Sequence, residues 1–217
     1  MPKTTAVNPQ PKQSRAQETV AALIETTNSV ISEGGESAVR IQEISAVTGV
    51  SIGSIYHHFG DREGLIRATH VHNFSKTVRK DIERFRDWMG QMHSTQEIAN
   101  NYNAMMTFLV EHFAAHSPWE RTAILGNTVG RPLLQRALAE VQHELTNSLA
   151  ETMQLLKDRG MLKPHLSPRS AAVVVLGMLF GRVIGELDLT PVRDEEWNQS
   201  MLSAFSGLFV VENQLAV

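Results

Sequence analysis

IQEISAVTGVSIGSIYHHF, residues 41–59, is the stretch that decides the fold. Ile41 and Ile44 share a face at i,i+3 spacing and Val47 continues it, which predicts a short amphipathic helix. Thr48-Gly49-Val50 breaks the pattern. Glycine supplies the positive φ of a sharp turn, and Val50 is apolar enough to plug the corner between two helices. Ser51 is placed to cap a second helix by accepting from a backbone N–H two or three residues on. Along that helix Ile55 and Phe59 point inward, leaving Ile52, Gly53, Ser54, Tyr56, His57 and His58 for the other sides. Few charges and several small or hydrogen-bonding groups suit close approach to a phosphate wall and to base edges.

Any two-helix corner in an all-α protein would also want a glycine in its bend. The following run, IYHHFGDREGLI, argues for more. Asp61 starts a new helix with Arg62 in its first turn, where a cation opposes the helix dipole. A DNA phosphate lying against that helix start would give Arg62 a reason to be there.

These residues resemble the DNA-binding domain of the TetR/AcrR family of bacterial transcriptional regulators. The resemblance runs from about Arg15 to Ala68, a quarter of the chain, and is specific at Gly49, Val50, Ser51, Gly53, Tyr56, His58, Phe59 and Leu65. Ser45 and Thr48 stand where the family usually has Ala, and Arg62 where Lys is usual. The resemblance implies that Ser51, Ile52, Ser54 and His57 face the major groove, with Gln42 reading a base edge and Gly53 letting the backbone close in. Tyr56, His58, Arg62 and Arg40 would grip phosphates. It further implies a dimer on a palindromic operator of double-stranded DNA, with a small-molecule effector bound in the remainder of the chain.

At 217 residues the chain is long enough for one large helical domain or two smaller ones. It contains no cysteine, so disulfide and thiol chemistry are excluded and a reducing cytoplasm is the natural compartment. The first 14 residues lack the apolar core of a secretory signal and contain three prolines. The most apolar run, Ala171–Gly181, is short of the ~20 residues needed to cross a bilayer, so no membrane partner is expected. Net charge is −3, unevenly divided: residues 1–86 hold 11 Lys+Arg against 9 Asp+Glu, and residues 87–217 hold 9 against 14. The asymmetry points to a DNA-facing N-terminal part and an acidic body. A +2 excess is modest, and tight binding would need two copies of the domain.

The expected architecture is all-α, with a disordered tail (1–13), a helix-turn-helix domain (14–72) and an effector-binding and dimerisation domain (73–217). A first helix from Arg15 to about Glu33 carries Val20, Ile24, Thr27 and Ile31 on one stripe and stops at Gly34-Gly35. The helix from Asp61 is long, with Val78, Ile82, Phe85 and Met89 on one stripe, and passes into the body without a flexible linker. Further helices are expected at about Gln96–His116, Trp119–Val129, Pro132–Arg159, Ser167–Leu189 and Glu195–Val211.

Tyr102, Met105, Met106, Leu109 and Phe113 follow 3-4 spacing, and Trp119 begins the next helix. Such a stripe suits either an ordinary core or an adaptable apolar cavity. Following the family, the group marks the effector pocket, with Trp88 and Met92 where a ligand could push on the long helix. Gly177, Gly181 and Gly185 recur every four residues in a helix with almost no polar side, so a close-packed neighbour is expected. The family makes its dimer interface here, with Met201, Phe205, Leu208 and Phe209 as partners in the last helix.

His112 and His116 have the i,i+4 spacing that can chelate a divalent metal, but Glu111 precedes the first and no third ligand is obvious. No metal or other cofactor is expected. A helical metal enzyme using these two histidines, and an adaptor whose helix-turn-helix serves only protein contacts, remain the rivals. The reading that leads is a dimeric, ligand-responsive repressor and not an enzyme.

Overall fold

The computed structural model describes residues 12–101, 104 and 118–210. The described elements are α1 (Lys12–Gly34), a 3-10 turn (Glu36–Ala38), α2 (Ile41–Thr48), α3 (Ile52–Phe59), α4 (Arg62–Gly90), α5 (Thr95–Asn100), α6 (Pro118–Gly126), α7 (Pro132–Asp158), α8 (Pro168–Leu187) and α9 (Asp194–Ser206). No extended strand occurs among the described residues; a single bridge pairs Leu162 with Phe209. The chain divides into two compact units, with the division between His72 and Asn73, inside α4.

The first unit is a small bundle around Leu23, Val39, Ile41, Ile44, Ile55, Leu65 and Ile66, with Val30, Ile31, Val50 and Phe59 packed against it. Ile41 and Ile44 of α2, and Ile55 and Phe59 of α3, follow 3-4 spacing, the period that puts apolar side chains on one face. Val47 does not join them and is 74% exposed. At about 100° per residue it lies roughly 60° beyond Ile44 and 120° from Ile41, outside the stripe those two define, while Thr48 falls between them.

Those two hydroxyls tie the turn that follows. Ser45 Oγ donates to Val50 O at 2.7 Å, while Thr48 Oγ1 donates to Ile44 O and accepts from Val50 N. Gly49 closes α2 in the left-handed conformation at φ 70°, where a Cβ would add strain. Alanine at 45 or 48 would leave these main-chain groups to water, so the family's usual residue is not equivalent here.

The second unit is built on α7, whose Leu134, Leu138, Val141, Leu145, Leu149, Met153 and Leu156 are buried. The face is met by Ala171, Ala172, Val175 and Leu176 of α8, its main neighbour. From α4, Phe74, Val78, Ile82, Phe85 and Met89 are buried, and Phe85 meets Phe205 edge-on at 6.1 Å. Arg159, at the end of α7, donates to the carbonyls of Met89, Gly90 and Met92 at the end of α4. It supplies a charged donor to oxygens at and just beyond the C-terminal end of α4, where the helix dipole is negative.

α8 begins with Pro168 after a Ser167 cap that accepts from Ser170 N at 3.0 Å. It runs 20 residues and is, among the described residues, the one helix long and apolar enough to cross a membrane. The apolar run counted from sequence was shorter, because the count stopped at the flanking arginines. α8 nevertheless packs on α6, α7 and α9. Its Arg182 is ion-paired to Glu186 and Asp194. Beyond α8 the Asp188 carboxylate accepts from the amide and hydroxyl of Thr190, which hold it below the usual carboxylate range.

The glycine ridge of α8 is partly filled by the chain itself. A Cβ on Gly181 would lie 3.2 Å from the Trp197 ring, and one on Gly185 would lie 3.9 Å from Val192 and 4.0 Å from Trp197. Arg182 sits over the same indole, 5.7 Å from its centroid. Only Gly177 faces open space. Phe205 and Leu208, expected at a surface between two copies, are buried in the protomer, and Phe205 lies 5.0 Å from Phe209. Sequence periodicity marks both as apolar and helix-facing but cannot separate an internal from an external partner.

Candidate nucleic-acid interface

α2, the turn at Gly49 and α3 carry most of the residues expected to meet DNA. Ile55 is fully buried and fixes the roll of α3, so Ile52, Gly53, Tyr56 and His57 fall on the opposite side at i,i+1,i+4,i+5 spacing. Tyr56 is 45% exposed and Ile52 38%. Ser51, Gly53, His57 and His58 are also exposed, as are Arg40 and Gln42 on the α2 side. A Cβ on Gly53 would meet nothing within 4 Å, so the protein itself does not require glycine there. Ser51 caps α3 by accepting from Ser54 N at 3.2 Å, which half-buries Ser54. No acidic residue occurs in α3, and its last turn carries His57 and His58, with ring centroids 5.6 Å apart.

Two of the expected cations are engaged within the protein. Arg40, the residue before α2, folds back to donate to Ser37 O and Val39 O. Arg62 donates through Nε to Val39 O at 3.0 Å, through Nη2 to Glu36 O and through Nη1 to Glu63 Oε1 at 2.8 Å. A cation in the first turn of α4 is therefore accounted for by carbonyls of the 3-10 turn, without an outside phosphate. The cap of α4 is Asp61, whose Oδ1 accepts from Gly64 N at 2.6 Å.

Sequence reasoning missed three residues of this unit. Gly64 is buried where a Cβ would stand 1.9 Å from Phe59 O. His70 is buried, with Nε2 2.6 Å from Glu36 Oε1. Glu36 is the shared partner of His70 and Arg62. A buried histidine 34 residues from an acid carries no local signal, whereas D-x-x-G at a helix start could have flagged Gly64.

The expected effector residues are divided. Tyr102, Met105, Met106, Leu109 and Phe113 lie outside the described residues, as do His112 and His116. Trp119 falls in the first turn of α6. Met92 is buried and Trp88 half-buried at the end of α4, where Asn101 Nδ2 lies 3.8 Å from Met92 Sδ.

With this geometry in place, residues 23–69 match the family model described as bacterial regulatory proteins, tetR family. The chain is 20% identical over 203 residues to the HTH-type transcriptional regulator UidR of Escherichia coli K12, an alignment covering 90% of this chain and 95% of UidR. Among solved structures it shares its fold with a TetR-family transcriptional regulator of Mesorhizobium loti, at a TM-score of 0.66 and 21% identity, covering 90% of this chain and 98% of that one. The flavonoid-responsive regulator FrrA follows at 0.56 and 19%, covering 87% and 95%. A helix-turn-helix whose exposed second helix carries no acidic residue is an arrangement that can enter a DNA groove. The family match thus covers the N-terminal unit, and the chain as a whole shares the fold of TetR-family regulators.

Proposed function

We propose that the chain is a dimeric, ligand-responsive repressor, released from a palindromic operator in the cytoplasm by a small apolar or amphipathic molecule. The observation that carries the DNA-binding part is the exposed, acid-free face of α3 opposite the buried Ile55. Ser51, Ile52, Ser54 and His57 enter the major groove, Gly53 permits close approach, Gln42 reads a base edge, and Tyr56 and His58 hold phosphates, with Arg40 beside them. Residues 14–72 make up the DNA-binding domain and 73–217 the effector and dimer domain.

The flavonoid-responsive neighbour supports a planar, largely apolar effector, held by Trp88, Met92, Trp119 and the expected stripe between Tyr102 and Phe113. Its binding displaces α4, and two heads that no longer match half-sites about 34 Å apart lose affinity by linkage.

Val173, Gly177, Ile184 and Leu187 form an exposed i,i+4,i+11,i+14 stripe along α8, with Ile184 76% exposed and Leu187 69%. This stripe, extended by half-buried Met201, is the dimer face, while Gly181 and Gly185 serve it from beneath through Trp197. Ile184→Glu should convert dimer to monomer in analytical ultracentrifugation, with helical content retained, because the charge would have to be buried unpaired. An unchanged sedimentation coefficient would move the dimer face elsewhere.

The function is tested by enriching duplexes from a random-sequence pool and titrating the winner by fluorescence anisotropy. Tyr56→Phe should weaken every duplex by about fivefold, the value of one lost hydrogen bond. Gln42→Ala should relax preference at one position in each half-site, a loss of roughly 1–3 kcal/mol of discrimination. Binding that ignores salt concentration would favour an adaptor, since phosphate neutralisation releases counterions.

A further inference from the structure

The 3-10 turn Glu36–Ala38, which delivers the chain into α2, is held by α4 at two points of one residue. Arg62, in the first turn of α4, donates to the main-chain oxygen of Glu36 and, with Nε, to Val39 O at 3.0 Å. His70, two turns further along the same helix, has its Nε2 2.6 Å from the Glu36 carboxylate, and its side chain is only 4% exposed. Glu36 is thus bound to α4 through both its backbone and its side chain. Arg40 and Gln42 follow immediately.

We propose that Arg62 and His70 are positioning residues that clamp this turn, setting where α2 presents Arg40 and Gln42, and that Arg62 is not a phosphate contact. The inference rests on the reading of this unit as a DNA binder. Three observations carry it. The N–H groups of Arg62 point at two separate carbonyls, an arrangement that suits a planar fork and that a single ammonium matches poorly. Its remaining nitrogen donates to Glu63 Oε1 at 2.8 Å, so each of the three guanidinium nitrogens has a partner within the protein. The second grip, by a buried histidine on the same residue, has no purpose at a phosphate contact but fits a turn that must not move. A shift of α4 is then passed to α2 directly, through Glu36.

The test compares wild type, Arg62→Lys and Arg62→Gln, with His70→Gln as a further variant, on the duplex that wild type enriches from a random pool. A clamp predicts that Lys fails as fully as Gln, each losing about tenfold in affinity, the equivalent of one to two hydrogen bonds. The slope of log affinity against log salt should not change. A phosphate contact predicts the reverse: Lys restores affinity and Gln lowers the slope by roughly 0.9. That result would overturn the proposal.

Amide hydrogen exchange on the free, full-length chain provides a reading that needs no DNA. Arg62→Lys and His70→Gln should each speed exchange at Val39 and Ile44 while leaving Ile55 unchanged. Exchange unaltered at Val39 overturns the clamp, whatever the duplex result. If wild type enriches no duplex, the DNA-binding reading fails while the exchange measurement still decides the clamp.

Discussion

Gly64→Ala is expected to unfold the N-terminal unit. A Cβ at this position would stand 1.9 Å from Phe59 O and 3.0 Å from Phe59 C, both main-chain atoms at the end of α3. Neither can rotate away as a side chain could, so α3 or the start of α4 must shift, and the Asp61 cap on Gly64 N would be lost with it. Overpacking of this kind costs roughly 3 kcal/mol or more, a large share of the stability of a small unit. Limited trypsin digestion of the full chain should open cleavage after Arg40, Arg62 and Arg67 in the variant and not in wild type. Gly53→Ala is the control, because its Cβ would meet open space. That variant should resist trypsin as wild type does and lose affinity only for duplex DNA. Equal protease resistance of Gly64→Ala and wild type would sink the close-approach account.

Arg159→Ala should produce the largest loss in the second unit. The guanidinium serves the carbonyls of Met89, Gly90 and Met92 at once, where α4 ends and its dipole is negative. Met89 and Met92 are buried, so water replaces the lost donors poorly. Charged hydrogen bonds to several acceptors suggest a loss of about 2–3 kcal/mol, lowering the melting temperature by roughly 5–10 °C. Differential scanning calorimetry reads this directly, and Arg159→Lys should recover only part, since one ammonium does not span three oxygens. A shift under about 2 °C would mean that the cap contributes little.

What was legible in the sequence was local. Gly49 announces its left-handed turn and Ser51 its cap because both depend on neighbours within a few residues. Ile44 and Ile55 declare their faces through a period that any stretch of chain displays. The division of charge and the length of α4 could be read the same way. What stayed hidden depends on residues brought together from a distance. For Arg62 the local sequence offers a phosphate as partner, while the acceptors it meets in the fold, Val39 and Glu36, lie 23 and 26 residues away. Gly181 of α8 has a close neighbour and Gly177 has none, and no periodicity says that the neighbour is Trp197 of the same chain. Phe205 and Leu208 likewise read as apolar, without any sign that the protomer itself buries them. An apolar stripe states that it wants cover and is silent about who supplies it.

The indole at 197 and the hydrogen at 181 are two halves of one fit, with 3.2 Å available for any added carbon. Neither position can drift freely over generations: a methyl at 181 asks for a slimmer ring opposite, and a slimmer ring leaves Arg182 without its aromatic floor. Related chains that differ at one of these sites should therefore differ at the other. Comparing such pairs would trace how the inner edge of this helix was reshaped while its outer stripe stayed exposed.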